Sequence, residues 1–353
     1  MTVTSRRSTN WSWWAGFAVC AAAAQFTHNL AAFHLLAIAL WPLMKRDWRT
    51  LRRVSVAGIG AVVLYLPWLI QLPSQFAKVG NAYWIATPDL YRLISLLLTF
   101  VTNTPLRTEF LPAGLFAALT VTILAVLQTI RHTKQGDERS STGLWMLYLA
   151  ICAPLMMFAF SQWRPIYLER ALLPAGTMFL VWVALVLTYA RTAVAARILI
   201  GAALVVGFGL GLVHHLTYSG FPYAPFDHLA GDLRSRLKPG DVILHSSKLS
   251  MLPMVYYDRQ LPQEYVADPP GSAIDTLAPS TQKVLNLEAS ENMSSAIGKA
   301  DRVWFLIFAE SNQEYVRAGL ARHPHLTFLL ARYTQLELQH WGPLDVYLFS
   351  TQS

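Results

Sequence analysis

RTAVAARILIGAALVVGFGLGLVHHL, residues 191–216, decides how the whole chain is read. Arg191 and Arg197 bracket a short connector, and the 19 residues that follow contain no Asp, Glu, Lys or Arg. At ~1.5 Å per helical residue such a run crosses the ~30 Å hydrocarbon core of a bilayer. The composition changes just beyond it. Up to Leu216 there are 17 Lys and Arg against 6 Asp and Glu, a net charge of +11. From Thr217 to Ser353 there are 11 against 14, a net of −3. The overall +8 is therefore no nucleic-acid signal. It is the bias that places Lys and Arg in cytoplasmic loops of membrane proteins.

Working back from that segment, 54–72, 110–130, 144–160 and 171–190 are further apolar runs of spanning length. Basic connectors separate them at 45–53, 131–139 and 191–197. Putting all three in the cytoplasm makes the spans alternate. It also puts 72–109, 161–170 and the C-terminal part outside. The first apolar stretch, 11–44, is too long for one span and is interrupted by Gln25-Phe26-Thr27-His28-Asn29. Two short helices with Thr27-His28-Asn29 at an outer turn keep Arg6, Arg7 and the 45–53 loop on one side, whereas one long tilted helix would put Arg6 and Arg7 outside; the hairpin is favoured. The expectation is an α-helical polytopic membrane protein of about seven transmembrane helices over 1–216, with a long outer loop at 73–109 and a soluble extracytoplasmic α/β domain over 217–353. No cleavable signal peptide is expected. Cys20 and Cys152 both lie in apolar segments without metal-ligand spacing and read as core residues, so neither a metal nor a disulfide is expected.

The tail carries soluble-domain patterns. Residues 226–237 have helical spacing and stop at Lys238-Pro239-Gly240. DVILH (241–245) and RVWFLIF (302–308) are buried-strand patterns, with helices predicted over 249–257 and 311–322. Segments 336–340 and 346–350 flank Trp341-Gly342-Pro343 as a terminal hairpin. Residues 268–295 read as a long loop with a short strand at 284–287. The strand–helix alternation favours a three-layer sandwich. No Gly-rich phosphate loop follows either strand, so no nucleotide cofactor is expected.

Several outer-face residues carry possible chemistry. His28 is either a histidine satisfied at the interface or a donor to a phosphate or acidic head group. Arg164 and Arg170 flank the outer connector SQWRPIYLER (161–170); Arg170 reads as a bidentate phosphate ligand, with Glu169 beside it to orient the guanidinium, and Arg164 reads equally as an interfacial charge. Tyr83 and Trp84 are either belt aromatics or contacts to a sugar or a lipid chain. Tyr91–Phe100 is too short to span and reads as a helix lying flat on the outer leaflet.

The order of these features resembles a family. A Thr-His turn between short helices is followed by Tyr65-Leu66-Pro67-Trp68 ending a span, then by Tyr83-Trp84-Ile85 and Pro88 in a long outer loop. Arg170-Ala171-Leu172-Leu173-Pro174-Ala175 opens a later span, and Leu237-Lys238-Pro239-Gly240-Asp241-Val242-Ile243 lies in the terminal domain. Together these are similar to polyprenyl-phosphate-sugar-dependent glycosyltransferases of the C superfamily, the group containing protein mannosyltransferases and aminoarabinose transferases. The resemblance runs over nearly the whole chain on short, degenerate motifs. It implies a GT-C-like helical fold and transfer of a sugar from a polyprenyl-phosphate carrier outside the cytoplasm, with inversion and a carboxylate base. It implies that His28, where many members have Lys, and Arg170 contact the carrier phosphate. The family's catalytic aspartate lies in a first outer loop preceded by one span, and about four spans precede the hairpin. This sequence shows neither, so no catalytic residue is assigned, and a separate amino-terminal chain is an expected partner if the gene is split. Two other classes stand beside this one: a non-catalytic membrane scaffold whose outer domain binds a partner, and a transporter or flippase. The nearly charge-free span interiors disfavour the last.

Overall fold

The computed structural model describes residues 11–74, 87–102, 106–136, 138–189, 192–268, 276–317 and 319–352. Among them the chain forms two compact units, one helical and ending at Thr217, the other running from Tyr218 and containing the strands.

The helical unit consists of α1 (Trp11–Thr27), α2 (Ala31–Met44), α3 (Trp48–Leu69), α4 (Leu90–Thr102), α5 (Leu111–Lys134), α6 (Glu138–Ser161), a 3-10 turn at Glu169–Leu172, α7 (Leu173–Thr188) and α8 (Val194–Thr217). Five stretches are long and apolar enough to cross a membrane: α3, α5, residues 140–161 of α6, the 3-10 turn with α7, and α8. α2 and α4 are apolar but shorter. The break expected near Thr27-His28-Asn29 is present, since α1 stops at Thr27 and α2 starts at Ala31.

The basic connectors are shorter than expected because the helices extend into them. Asp47 caps α3, accepting from Thr50 N at 3.1 Å and from Thr50 Oγ1 at 2.7 Å, so Arg49, Arg52 and Arg53 lie within the first turns of the helix. α5 likewise carries Arg131 and Lys134 in its last turn, where cations complement the helix dipole. The expected span 54–72 is thus a helix over 48–69, and the connector 191–197 gives way to α8 at Val194.

α4 is too short to span, as expected, and it packs into the bundle. Leu96, Leu98, Val101 and Thr102 are buried, and the helix packs against α5, α7 and α8. Gly207 and Gly211 of α8 allow this approach. A Cβ on Gly211 would overlap the Thr102 carbonyl, and one on Gly207 would come within 3.0 Å of Val101 O. The core around this contact is built from Ala117, Ala118, Val121, Ala125, Phe179, Trp182, Val183 and Ile200. α1 packs on α3 through Ala21, Ala22 and Ala61.

The C-terminal unit consists of α9 (Phe226–Arg236), β1 (Asp241–His245), α10 (Lys248–Tyr257), β2 (Gln263–Tyr265), α11 (Pro279–Leu285), α12 (Met293–Ile297), β3 (Arg302–Phe308), α13 (Ala309–Arg317), α14 (Pro324–Arg332), β4 (Thr334–Trp341) and β5 (Leu344–Ser350). The sheet order is β2-β1-β3-β5-β4, with β2, β1 and β3 parallel and the last two strands antiparallel. Side chains of β3 alternate between faces. Trp304, Leu306 and Phe308 join Leu344, Val346 and Leu348 under α9 and α10. Val303, Phe305 and Ile307 join Phe349 under α12 and α14. Both faces of the sheet are covered, giving three layers.

Two expectations for this unit are corrected. Residues 284–287 are not a strand: Pro279 opens a short helix at its first turn, and Asn286, at φ 52°, ends it in a left-handed cap. The helix expected over 311–322 covers 309–317, and Gly319, at φ 89°, follows it. β2 and α14 were not expected.

Candidate functional site

The helical unit has two chemically different ends. One gathers the 28–30 turn, the C-terminal ends of α3 and α6, the start of α4 and the 3-10 turn. Tyr65 of α3 donates to Asn29 Oδ1 at 2.6 Å. Gln162 Nε2, beyond α6, donates to Pro88 O at 3.0 Å, and Asp89 caps α4 by accepting from Arg92 N at 2.8 Å. His34 Nε2 lies 3.1 Å from Ala171 O, linking α2 to the 3-10 turn. Beneath these polar links, Leu30 and Phe33 pack with Leu96, Met157, Tyr167, Ala171 and Leu172. The opposite end carries Lys45, Arg46, Arg49, Arg52, Arg53, Arg131, Lys134 and Arg197. There His132 Nε2 lies 3.0 Å from Thr192 Oγ1, and Lys45 sits over the Trp41 ring at 5.0 Å.

His28 and Arg170 belong to segments that this packing brings together. His28 is half-buried, and its Nδ1 accepts from Leu30 N at 3.2 Å in the turn leading into α2. That bond occupies Nδ1 and leaves Nε2 as the nitrogen able to meet a ligand. Arg164 and Arg170 are exposed and form no ion pair with the described residues. Glu169 faces Arg92 at 3.8 Å and does not orient Arg170. Arg92, on the first turn of α4, is the residue that sequence reasoning missed. Its only signal was the Asp-Leu-Tyr-Arg sequence, Asp89 to Arg92, at a helix start. Tyr83 and Trp84 lie outside the described residues.

The carboxylates at this end are committed. Asp89 caps α4, Glu109 pairs with Arg107 at 3.6 Å, and Glu169 pairs with Arg92. All three are exposed. None is held in a desolvated position suited to a general base. Among the described residues no cluster of His, Cys, Asp and Glu has the arrangement of a metal site.

The sheet unit has its own polar cluster at the carboxyl end of β1. Gln263 Nε2 donates to Asp258 O at 2.6 Å, which turns Oε1 toward His245 Nε2 at 3.2 Å. His245 thus carries its proton on Nε2, and Nδ1 lies 3.1 Å from Ser250 Oγ, whose hydroxyl also donates to Ser247 O at 3.2 Å. This serine–histidine–amide series has the connectivity of a nucleophile and its base. However, His245 and Ser250 are fully buried, so the series pins β1 to α10 and β2 instead of meeting a substrate. Burial pushes the His245 pKa down to about 3 against the opposing effect of Gln263.

At the other end of β1, Asp241 accepts from Arg302 Nε at 2.8 Å, Lys238 N at 2.9 Å and Trp304 Nε1 at 3.1 Å. Burial alone would raise its pKa, but these donors outweigh it and hold the carboxyl below its ordinary value. Asp241 is a structural residue that joins β1 to β3.

Searches against protein-family models, curated proteins and solved structures give no match to this chain.

Proposed function

We propose that this chain is a seven-span membrane protein that works as the carrier-binding portion of a polyprenyl-phosphate-sugar glycosyltransferase. In this reading the basic end faces the cytoplasm, and the His28–Arg170 end and the C-terminal unit are extracytoplasmic. The observation that carries the reading is the convergence of the 28–30 turn and the Glu169–Leu172 turn over one apolar cluster. A phosphate seated there would meet the Nε2–H of His28 and the forks of Arg164 and Arg170, while its chain lies along the helices.

The chemistry is displacement at the anomeric carbon. An acceptor hydroxyl forms the new C–O bond, the bond to the carrier phosphate breaks, and the phosphate leaves with the electron pair. A base takes the hydroxyl proton. Arg164 and Arg170 would stabilise the charge growing on the leaving phosphate. The committed state of Asp89, Glu109 and Glu169 also favours a second reading, a non-catalytic partner that binds the carrier and leaves the base to another polypeptide.

The test is binding of decaprenyl phosphate to the detergent-solubilised full chain. A charge-assisted contact contributes roughly 1.5–3 kcal/mol, so Arg170→Ala weakens binding about ten- to a hundredfold. Arg170→Lys recovers part of it, because a point charge replaces the fork. Alanine variants of His28 and Arg170 that bind like the parent would refute the assignment.

A further inference from the structure

α3 has two opposed faces. Val54, Ala57, Ala61 and Tyr65 form its buried stripe. On the other side, Arg49, Arg52, Val56, Ile59, Val63 and Leu66 recur at spacings of three and four and are all exposed. At 3.6 residues per turn they fall within about a 100° arc. Charge is confined to the first two positions, and the remainder is aliphatic.

The two arginines are placed where their own helix does not favour them. They lie in the first turns of α3, at the positive end of its dipole. The acid nearest in sequence, Asp47, uses both carboxylate oxygens on Thr50. Neither Arg49 nor Arg52 forms an ion pair among the described residues, and Lys45 and Arg46 stand just before them. Trp48, 64% exposed, lies between Asp47 and Arg49, and an exposed indole beside cations suits a bilayer interface.

We infer that this face of α3 binds one anionic diacyl phospholipid, its phosphate on Arg49 and Arg52 and an acyl chain along Val56, Ile59 and Val63. The inference rests on the membrane reading of α3 but not on the transferase reading, and its site is at the opposite end of the bundle from His28 and Arg170. Charge selects the occupant. A second copy of this chain laid antiparallel would place the other copy's arginines against aliphatic side chains. One laid parallel would bring four guanidiniums together. A zwitterionic lipid carries its own cation into the same cluster. An anionic head group instead supplies the missing counter-charge while its chain covers the stripe.

The test uses the full chain in nanodiscs with dioleoyl phosphatidylglycerol or dioleoyl phosphatidylcholine as probe, read as bound lipid by native mass spectrometry. Each interfacial cation near an anionic surface contributes enough that two give roughly a thirtyfold preference for phosphatidylglycerol. Arg49→Gln with Arg52→Gln should bring the two lipids to within about threefold. The Arg49→Lys, Arg52→Lys variant should keep most of the preference, which separates lost charge from misfolding. Millimolar inorganic phosphate should not displace the lipid. Equal binding of both lipids by the parent, an unchanged preference in the glutamine variant, displacement by free phosphate, or a dimer formed through this stripe would each overturn the inference. If alkaline carbonate strips the chain from membranes, the membrane reading falls as well; if the chain stays embedded and binds both lipids equally, only the lipid site falls.

Discussion

At the scale of single residues, two positions carry disproportionate weight. Gly211 lies where α4 crosses α8, and any side chain there meets the Thr102 carbonyl. Gly201, on the same helix, has open space around it. Overpacking costs about 1–3 kcal/mol, whereas alanine in an open helical site gains up to about 1 kcal/mol over glycine. Gly211→Ala should therefore lower the Tm of the detergent-solubilised protein, while Gly201→Ala should leave it equal or higher. Equal effects at the two positions would show that α4 is not seated there. The second position is Asp241, whose side chain is almost completely buried against Arg302. Removing one partner of such a pair costs about 3–5 kcal/mol because the other charge is left without compensation. Asp241→Ala should shift the urea unfolding midpoint down accordingly, and a wild-type midpoint would contradict the account of how β1 and β3 are joined.

At the scale of elements, α14 is built to respond to acid. His323 caps it, with Nδ1 accepting from His325 N at 3.2 Å, and His325 lies beside it with ring centroids 4.7 Å apart. Burial, reinforced by the charge of His325, pushes the His323 pKa down to about 3. Burial also lowers that of His325, against the opposing pull of Asp268, and Tyr315 of α13 covers the His323 ring. The folded chain refuses protons that the unfolded chain accepts below about pH 6.5, so stability falls as the pH drops from there toward about 3. His323→Asn keeps a capping acceptor and removes one titrating group. Hydrogen exchange over 324–332 should then depend less on pH between about 4 and 6 in the variant. Identical pH dependence would assign the sensitivity to other groups, with His245 the first to examine.

The elements also show what the sequence made legible. β1 and β3 announce themselves by dense aliphatic and aromatic runs, and the β4–β5 hairpin by two short segments flanking Trp341-Gly342-Pro343; all appear. β2 is three residues, Gln263-Glu264-Tyr265, with no apolar run to mark it. Val284 and Leu285 read as part of a short buried strand over 284–287, whereas Val284 is 84% exposed and the segment is set by Pro279 and Asn286 as a helix. The ends of the long helices were misjudged because basic side chains do not stop a helix at a membrane surface. Backbone bonds continue, and the cap at Asp47 lies upstream of the arginines. Of the candidate site, the turn at His28 and the segment around Arg170 were visible. The Arg92–Glu169 pair was not, since it joins residues far apart in sequence.

At the scale of the whole molecule, the account turns on polarity. The helical unit is a bundle with one end rich in cations and the other carrying His28, Arg92, Arg164, Glu169 and Arg170. If Asp89, Glu109 and Glu169 keep their present partners, the purified polypeptide alone should bind decaprenyl phosphate but transfer no sugar from it. Release of a glycosylated acceptor in the absence of any other protein would show that one of these carboxylates serves as the base.

The proposed carrier site depends on which end of the bundle faces outward. The most direct measurement is labelling of single introduced cysteines in intact cells with a membrane-impermeant maleimide, on a background with Cys20 and Cys152 replaced by serine. Arg164→Cys and Gln135→Cys place the thiols at opposite ends of α6 and the α5–α6 connection. The account predicts that position 164 labels in intact cells and that position 135 labels only after permeabilisation. Labelling of both in intact cells, or the reverse pattern, would contradict it.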